Sequence, residues 1–187
     1  MRIIGGHKKG INLAPIGDVD LEARLRPTSD RVRESIFNLL ENGRYKLNMS
    51  KTRVLDLFAG TGAMSFEAAS RGAEAVTMIE NGPKSLTLIG QNMEITGLHL
   101  QVYNADATQL PACPNPPFDL VFIDPPYGKQ MGHAALLGLK MGWLMDDALI
   151  VWEEGAEFYP PEGYSLLEVR RYGDTFIHFL RVSSFEE

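Results

Sequence analysis

Val54-Leu55-Asp56-Leu57-Phe58-Ala59-Gly60-Thr61-Gly62 runs from an apolar strand into glycines and on into a helical stretch, Ala63 to Arg71. Glycines at such a junction let the backbone approach a ligand closely at a helix N-terminus. Strand, glycine turn and helix in that order form the repeating unit of an α/β sheet. The spacing meets only part of the dinucleotide fingerprint G-x-G-x-x-G, because Ser65 stands at the third glycine position. That is weak support for a nicotinamide cofactor. Asp56, four residues before Gly60, suits instead a cationic ligand such as the aminopropyl-carboxyl end of S-adenosylmethionine. A tight turn with no ligand is the bland alternative at this point.

Outward from that turn, carboxylates recur at strand ends. Glu80 closes the run Ala75-Val76-Thr77-Met78-Ile79, eighteen residues after Gly62, where an acid commonly meets ribose hydroxyls. A third strand, Leu100 to Asn104, leads to Asp106-Ala107, whose carboxylate suits an adenine amino group. The apolar run Phe118-Asp119-Leu120-Val121-Phe122-Ile123 ends in Asp124-Pro125-Pro126-Tyr127. Ligands of open α/β sheets bind beyond the carboxyl ends of the strands. This last tetrapeptide offers an acceptor carboxylate, two residues of locked φ and an aromatic face, which together suit a planar amino group. One strand-end acid is ordinarily a solvated charge. Four in succession, Asp56, Glu80, Asp106 and Asp124, form an ordered set that points to one crevice.

The wider pattern agrees with a sheet of that kind. Periodicity predicts strands at 53–58, 75–80, 100–104, 118–123 and 148–153, and helices at 63–71, 83–96 and 133–141. Alternation of this sort gives parallel strands with right-handed crossovers. Pro111, Pro114, Pro116 and Pro117 make the third crossover a loop. Ser165 to Tyr172, the turn Gly173-Asp174, and Thr175 to Val182 read as a closing antiparallel hairpin. At the other end, Arg2 to Leu13 reads as a glycine-rich β-hairpin, and residues 14–26 as irregular loop. Thr28-Ser29-Asp30 supply caps for a helix over 31–42, with Val32, Ile36, Leu39 and Leu40 as its apolar stripe.

Composition narrows the class further. At 44% hydrophobic and 22% charged the chain has material for an ordinary core. No apolar run is long enough to cross a bilayer, Cys113 is the lone cysteine, and one cysteine among four histidines offers no zinc spacing. A cytoplasmic monomer without metal or membrane is expected. Net charge is −6 overall, but residues 1–53 hold 11 Lys and Arg against 6 Asp and Glu, a net of +5, which leaves −11 for the remainder. A basic segment on an acidic body suggests a surface for phosphates, with a merely solvated face as the alternative.

With these residues placed, the chain resembles the class I S-adenosylmethionine-dependent methyltransferases over residues 50–187. More narrowly, it is similar to the bacterial 16S rRNA guanine-N2 methyltransferase family called RsmD. The resemblance is carried by Arg2-Ile3-Ile4-Gly5-Gly6, Leu25-Arg26-Pro27-Thr28, Asp30-Arg31-Val32-Arg33-Glu34 and Ile36-Phe37-Asn38. Asp56 to Gly62, Glu67-Ala68, Ser70-Arg71-Gly72-Ala73 and Asp124-Pro125-Pro126-Tyr127 complete it. The core elements are shared by many methyltransferases; the amino-terminal block is the discriminating part. His7-Lys8-Lys9 departs from the arginines that relatives commonly carry, keeping charge but losing the forked guanidinium.

The resemblance implies a Rossmann-like, mostly parallel seven-stranded sheet over 51–187 with an RNA-docking extension over 1–50. It implies S-adenosylmethionine held by Thr28, Asp56, Phe58, Gly60, Gly62, Glu80, Asn81, Asp106, Ala107 and Asp124. Catalysis would fall to Asp124, the Pro125 carbonyl and Tyr127. Arg2, Lys8, Lys9 and Arg24 would meet 16S rRNA, the small ribosomal subunit or an assembly intermediate. Rival readings are an adenine-N6 or cytosine-N4 DNA methyltransferase, a glutamine-N5 protein methyltransferase, and a non-catalytic assembly factor that binds S-adenosylmethionine or RNA. Asp124 in place of the usual Asn counts against the glutamine enzyme.

Overall fold

The computed structural model describes residues 1–15, 28–114, 116–126 and 130–183. The apolar runs pair as parallel neighbours: β1 (Arg53–Leu57), β2 (Ala75–Glu80), β3 (Gln101–Asn104), β4 (Phe118–Ile123) and β5 (Leu144–Glu154). β6 (Tyr164–Tyr172) and β7 (Thr175–Val182) form the expected hairpin, and β7 joins β5 antiparallel. Across the seven strands the order is β3-β2-β1-β4-β5-β7-β6. The chain thus steps outward from β1 to β3, then returns to lay β4 on the other side of β1. That reversal opens a crevice at the carboxyl ends of β1 and β4.

Helices α1 (Asp30–Glu41), α2 (Ala63–Ser70), α3 (Pro83–Thr96) and α4 (Met131–Leu139) cover the sheet. Strand alternation divides the core between its faces. On one, Leu55, Leu57, Val121, Ile123, Ile150 and Trp152 pack with Leu136 and Leu139 of α4. On the other, Val54, Leu120, Phe122 and Val151 pack with Ile36, Phe37 and Leu40 of α1. Ser29 caps α1 by accepting from the Val32 amide at 3.3 Å. The buried stripe of that helix includes Arg33 and Phe37, while Val32 and Leu39 are only partly covered. Crossover 105–117 contains no helix among the described residues, as its prolines require. α4 begins two residues earlier than the periodicity gives, because Gln130 at φ 54° sets its start. β5 begins at Leu144, where the sequence pattern starts at 148; Asp147 at φ 61° breaks the local alternation.

The amino-terminal hairpin is tighter than two regular strands. One bridge, Arg2 to Asn12, is flanked by backbone bonds from Ile3 to Ile11, Gly10 to Ile3 and Leu13 to Met1. Its turn is clasped to α2. Glu67, fully buried, accepts the Ile4 and Gly5 amides, each at 2.8 Å, and the Arg71 Nε–H at 2.8 Å. The Ser70 carbonyl and hydroxyl receive the His7 and Lys8 amides at 2.8 and 2.9 Å. Approach is so close that a Cβ on Gly6, at φ 73°, would lie 1.8 Å from the Ser70 carbonyl oxygen. Arg71 also pairs with Glu41 and lies over the Phe37 ring at 4.8 Å. The family motifs at the amino terminus and on α2 are therefore two halves of one contact.

Among the described residues the sheet has two open sides. β3 offers only four residues at one of them. β6, nine residues long, forms the other and carries Glu168, Arg170 and Arg171, with Glu168 bonded to Arg170 at 2.5 Å and to Arg44 at 2.9 Å.

Candidate active site

The glycine turn is built by backbone conformation. Phe58, Gly60 and Gly62 hold φ at 60°, 57° and 76°. That region is costly for an aromatic residue, and such outliers gather at functional sites. At Gly62 a Cβ would meet the Phe66 ring at 2.9 Å and the Met78 sulfur at 3.1 Å, so glycine is required by space as well as by φ. The buried Asn92 amide donates to the Thr61 carbonyl at 2.9 Å and accepts the Ala14 amide at 2.7 Å. The turn is thereby tied both to α3 and to the amino-terminal segment.

Around this turn stand the strand-end acids. Asp56 is 3% exposed and accepts the Ser65 hydroxyl at 2.6 Å. Serine at the third fingerprint position therefore serves the carboxylate. Burial pushes Asp56 up to about 7, Ser65 opposes that shift, and Glu80 adds to it. Glu80 accepts the Gly60 amide at 2.7 Å through one oxygen, and the Asn81 and Gly82 amides at 2.9 and 2.7 Å through the other. It thus pins the glycine turn to the start of α3. Asp106 caps its own turn, accepting from the Thr108 amide and hydroxyl at 2.8 and 2.7 Å, and those bonds hold it below the usual carboxylate range. Ala107 beside it is buried.

Asp124 follows β4 at the centre of the crevice, its amide directed at the Leu57 carbonyl of β1 at 3.4 Å. Burial of its carboxyl, then the nearby charges of Glu153, Asp56 and Glu154, drive it well above the ordinary value. Pro125 is buried and Pro126 exposed. Among the described residues no lysine or arginine forms an ion pair with Asp56, Glu80 or Asp124. Three acids around one crevice, with no ion-pair partner among the described residues, give it an acidic character.

The sequence reading missed Glu153. In the register Ile123 pairs with Trp152, so Asp124 and Glu153 are the next neighbours across β4 and β5. Thr28, expected at the cofactor, donates its hydroxyl to Glu153 at 2.8 Å. The signal was present: Glu153 closes the fourth parallel crossover as Glu80 and Asp124 close theirs.

The residues expected at RNA separate from one another. Arg2 is exposed, 3.5 Å from Asp30. Lys8 and Lys9 ride on the turn docked at the carboxyl end of α2, about 12 Å from Gly62 at 1.5 Å of rise per residue. Arg24 and Tyr127 lie outside the described residues. An open groove of about 420 Å³ between α1 and β6, lined in part by Arg31, Ser35, Asn38 and Arg170, contains none of the strand-end acids. No group of three or more His, Cys, Asp and Glu among the described residues is arranged to hold a metal ion. No described helix is long and apolar enough to cross a membrane.

Comparison with known proteins places this geometry. Residues 1–181 match the family described as Conserved hypothetical protein 95. Ribosomal RNA small subunit methyltransferase D of Escherichia coli K12 is 37% identical over 159 residues, covering 84% of this chain and 76% of its own. Its namesake in Haemophilus influenzae is 32% identical over 181 residues, covering 92% and 89%. The solved structure of yhhF from Escherichia coli superposes with a TM-score of 0.82 at 32% identity, over 98% of each chain. The ribosomal protein L11 methylase of Lactobacillus delbrueckii shares the fold alone, at 15% identity and a TM-score of 0.64 over 81% of this chain and 79% of its own. From residue 1 to residue 181, and through relatives aligned over most of their own length, the chain belongs to the Conserved hypothetical protein 95 family, the RsmD family of methyltransferases.

Proposed function

We propose that the protein transfers a methyl group from S-adenosylmethionine to the exocyclic N2 of a guanine in small-subunit rRNA. The observation that carries this is Asp124: a carboxylate at the switch-point crevice, without a basic partner among the described residues, beside a glycine turn that admits a nucleoside. The naming of the two relatives as small-subunit rRNA methyltransferases supports the substrate class.

The residues present fit the cofactor. Asp56 and the amides at the start of α2 suit its charged amino-acid end, Glu80 the ribose, and Asp106 with Ala107 the adenine. A carboxylate can accept from several donors at once, so the bonds Glu80 and Asp106 already make do not fill them. S-adenosylmethionine supplies a methyl group on positively charged sulfur, and the carbon–sulfur bond breaks toward sulfur as the N2 lone pair takes the methyl.

The guanine amino nitrogen is a poor nucleophile because its lone pair is shared with the ring. Asp124 and the Pro125 carbonyl accept the two amino hydrogens, which turns the lone pair toward the methyl group. As positive charge develops on nitrogen, the Asp124 carboxylate stabilises it and then takes the proton released. Holding both reactants in line supplies much of the remaining acceleration. Tyr127 stacks on the base once it is drawn out of its helix or loop. The basic amino-terminal surface docks the surrounding RNA.

The test is tritiated methyl transfer to small subunits from an Escherichia coli strain lacking its own small subunit methyltransferase D, followed by digestion to nucleosides. N2-methylguanosine is expected. Label in N6-methyladenosine, in protein or nowhere would overturn the reading.

A further inference from the structure

The Asp124–Glu153 pair goes beyond the transfer chemistry, because a single acceptor does not distinguish one amino group from another. Adenine N6, cytosine N4 and the glutamine amide each carry an NH₂ group flanked by an acceptor atom: N1, N3 and the amide oxygen. Guanine N2 differs. On one side it is flanked by N1–H, so that edge presents two adjacent donors.

The crevice presents two adjacent acceptors. Asp124 and Glu153 follow the register pair Ile123 and Trp152 on neighbouring parallel strands. Side chains in that relation lie on the same face, within reach of one planar group. Glu153 is half-buried, and the Thr28 hydroxyl, entering from the segment ahead of α1, holds one of its oxygens at 2.8 Å. Its charge is felt at Asp124 more strongly than that of any other acid.

We propose that Glu153 is the specificity-determining residue for guanine: it accepts N1–H while Asp124 accepts the amino group, and Thr28 positions it. This rests on the guanine-N2 reading given above. The carboxylate acts by attraction and by repulsion together. With guanine it completes a two-point contact and adds electron density to the ring that feeds N2. With adenine, cytosine or glutamine it faces a lone pair, and that repulsion is the stronger discriminator.

The probe is 2-aminopurine, which keeps the 2-amino group but carries a bare acceptor at N1. The methylated position is first mapped with the wild-type protein on small subunits, and 2-aminopurine is then ligated into that position of the RNA. Wild type should prefer guanine by at least about 100-fold in kcat/KM, as sites built around a substrate hydrogen bond do. Glu153→Gln, whose amide can donate to N1, should bring the two substrates within about 10-fold, mainly by raising activity on 2-aminopurine. Glu153→Ala should also shrink the ratio, with activity on guanine reduced. Equal loss on both substrates, or an unchanged ratio in Glu153→Gln, would overturn the assignment. Absence of N2-methylguanosine from the wild-type reaction would instead defeat the underlying reading, so the two failures are distinguishable. Unchanged melting temperatures verify that the variants are folded.

Discussion

Two groups of buried charge in this molecule are built on opposite plans. In the clasp, Glu67 receives two backbone amides and the Arg71 guanidinium, and Arg71 is shared with Glu41. In the crevice, Asp56, Glu80 and Asp124 converge with no ion-pair partner among the described residues, and two of them are pushed above their ordinary values. The clasp is complete in itself and holds the amino terminus against α2. Among the described residues the crevice is left acidic, which suits the cationic cofactor proposed for it. A charged cluster whose bonds are all made is architecture; one left without cations by its described neighbours is where a charged ligand is proposed.

The largest effect should come from breaking the complete cluster. Glu67→Ala strips two amides of their acceptor and leaves Arg71 with Glu41 alone, and loss of one partner of a buried pair costs about 3–5 kcal/mol. Urea denaturation measures it; a loss under 1 kcal/mol would show that water replaces the carboxylate. The corresponding change in the crevice should act on rate. Asp124→Ala is expected to lower methyl transfer by about 10²-fold or more, the scale of a lost transition-state partner, while S-adenosylmethionine affinity stays within a few fold. Asp124→Asn should be milder, because its oxygen still accepts.

Titration separates the plans further. Asp56 moves from 3.8 in the unfolded chain to about 7 in the fold. Between those values the native state keeps a proton that the unfolded chain gives up. The Asp56 contribution to stability therefore falls as pH rises through that window, against the usual direction of acid unfolding. Binding of the cofactor's ammonium group beside Asp56 should reverse the balance and release protons. Affinity for S-adenosylmethionine is expected to climb with pH toward 7, by at most about tenfold per unit for one group. S-adenosylhomocysteine keeps the same ammonium and should climb alike. Calorimetry in buffers of different ionisation enthalpy counts the protons, and affinity that does not change between about pH 5 and 7 would refute a role for Asp56 at the amino-acid end.

The smallest effect concerns the far end of α2. Replacing Lys8 and Lys9 by Ala should weaken RNA binding and reduce its salt slope by about 2 at most, with cofactor binding untouched. An unchanged slope would reduce this turn to the architectural role of the clasp that holds it.

Most of the crevice was legible in the chain because its acids stand at ends of apolar runs, a local pattern that strand period reveals. Asp56, Glu80 and Asp124 could be read from their own neighbours in sequence. Glu153 closes a strand in the same way, yet its significance depends on β4 and β5 lying side by side, which periodicity does not state. Arg33 stands outside the apolar stripe that periodicity gives α1. It is fully buried because the Arg2 and Thr28 carbonyls and Asp30 surround its guanidinium. The clasp was legible only as two family motifs whose bonded residues stand 62 and 63 positions apart; that they touch is a fact of tertiary packing. Phe58 at positive φ was not legible either, since nothing in an aromatic side chain announces a left-handed backbone.

The open side of β6 has a consequence for how copies of this protein behave toward one another. A nine-residue rim with no further strand beside it among the described residues is a template on which a second molecule can add its own strand, and such rims seed aggregation. Glu168, Arg170 and Arg171 put charge along this one, and the four residues of β3 make the opposite rim too short to recruit a neighbour. The protein keeps an open sheet, with the crevice that openness provides, and its outermost strand guards its solubility.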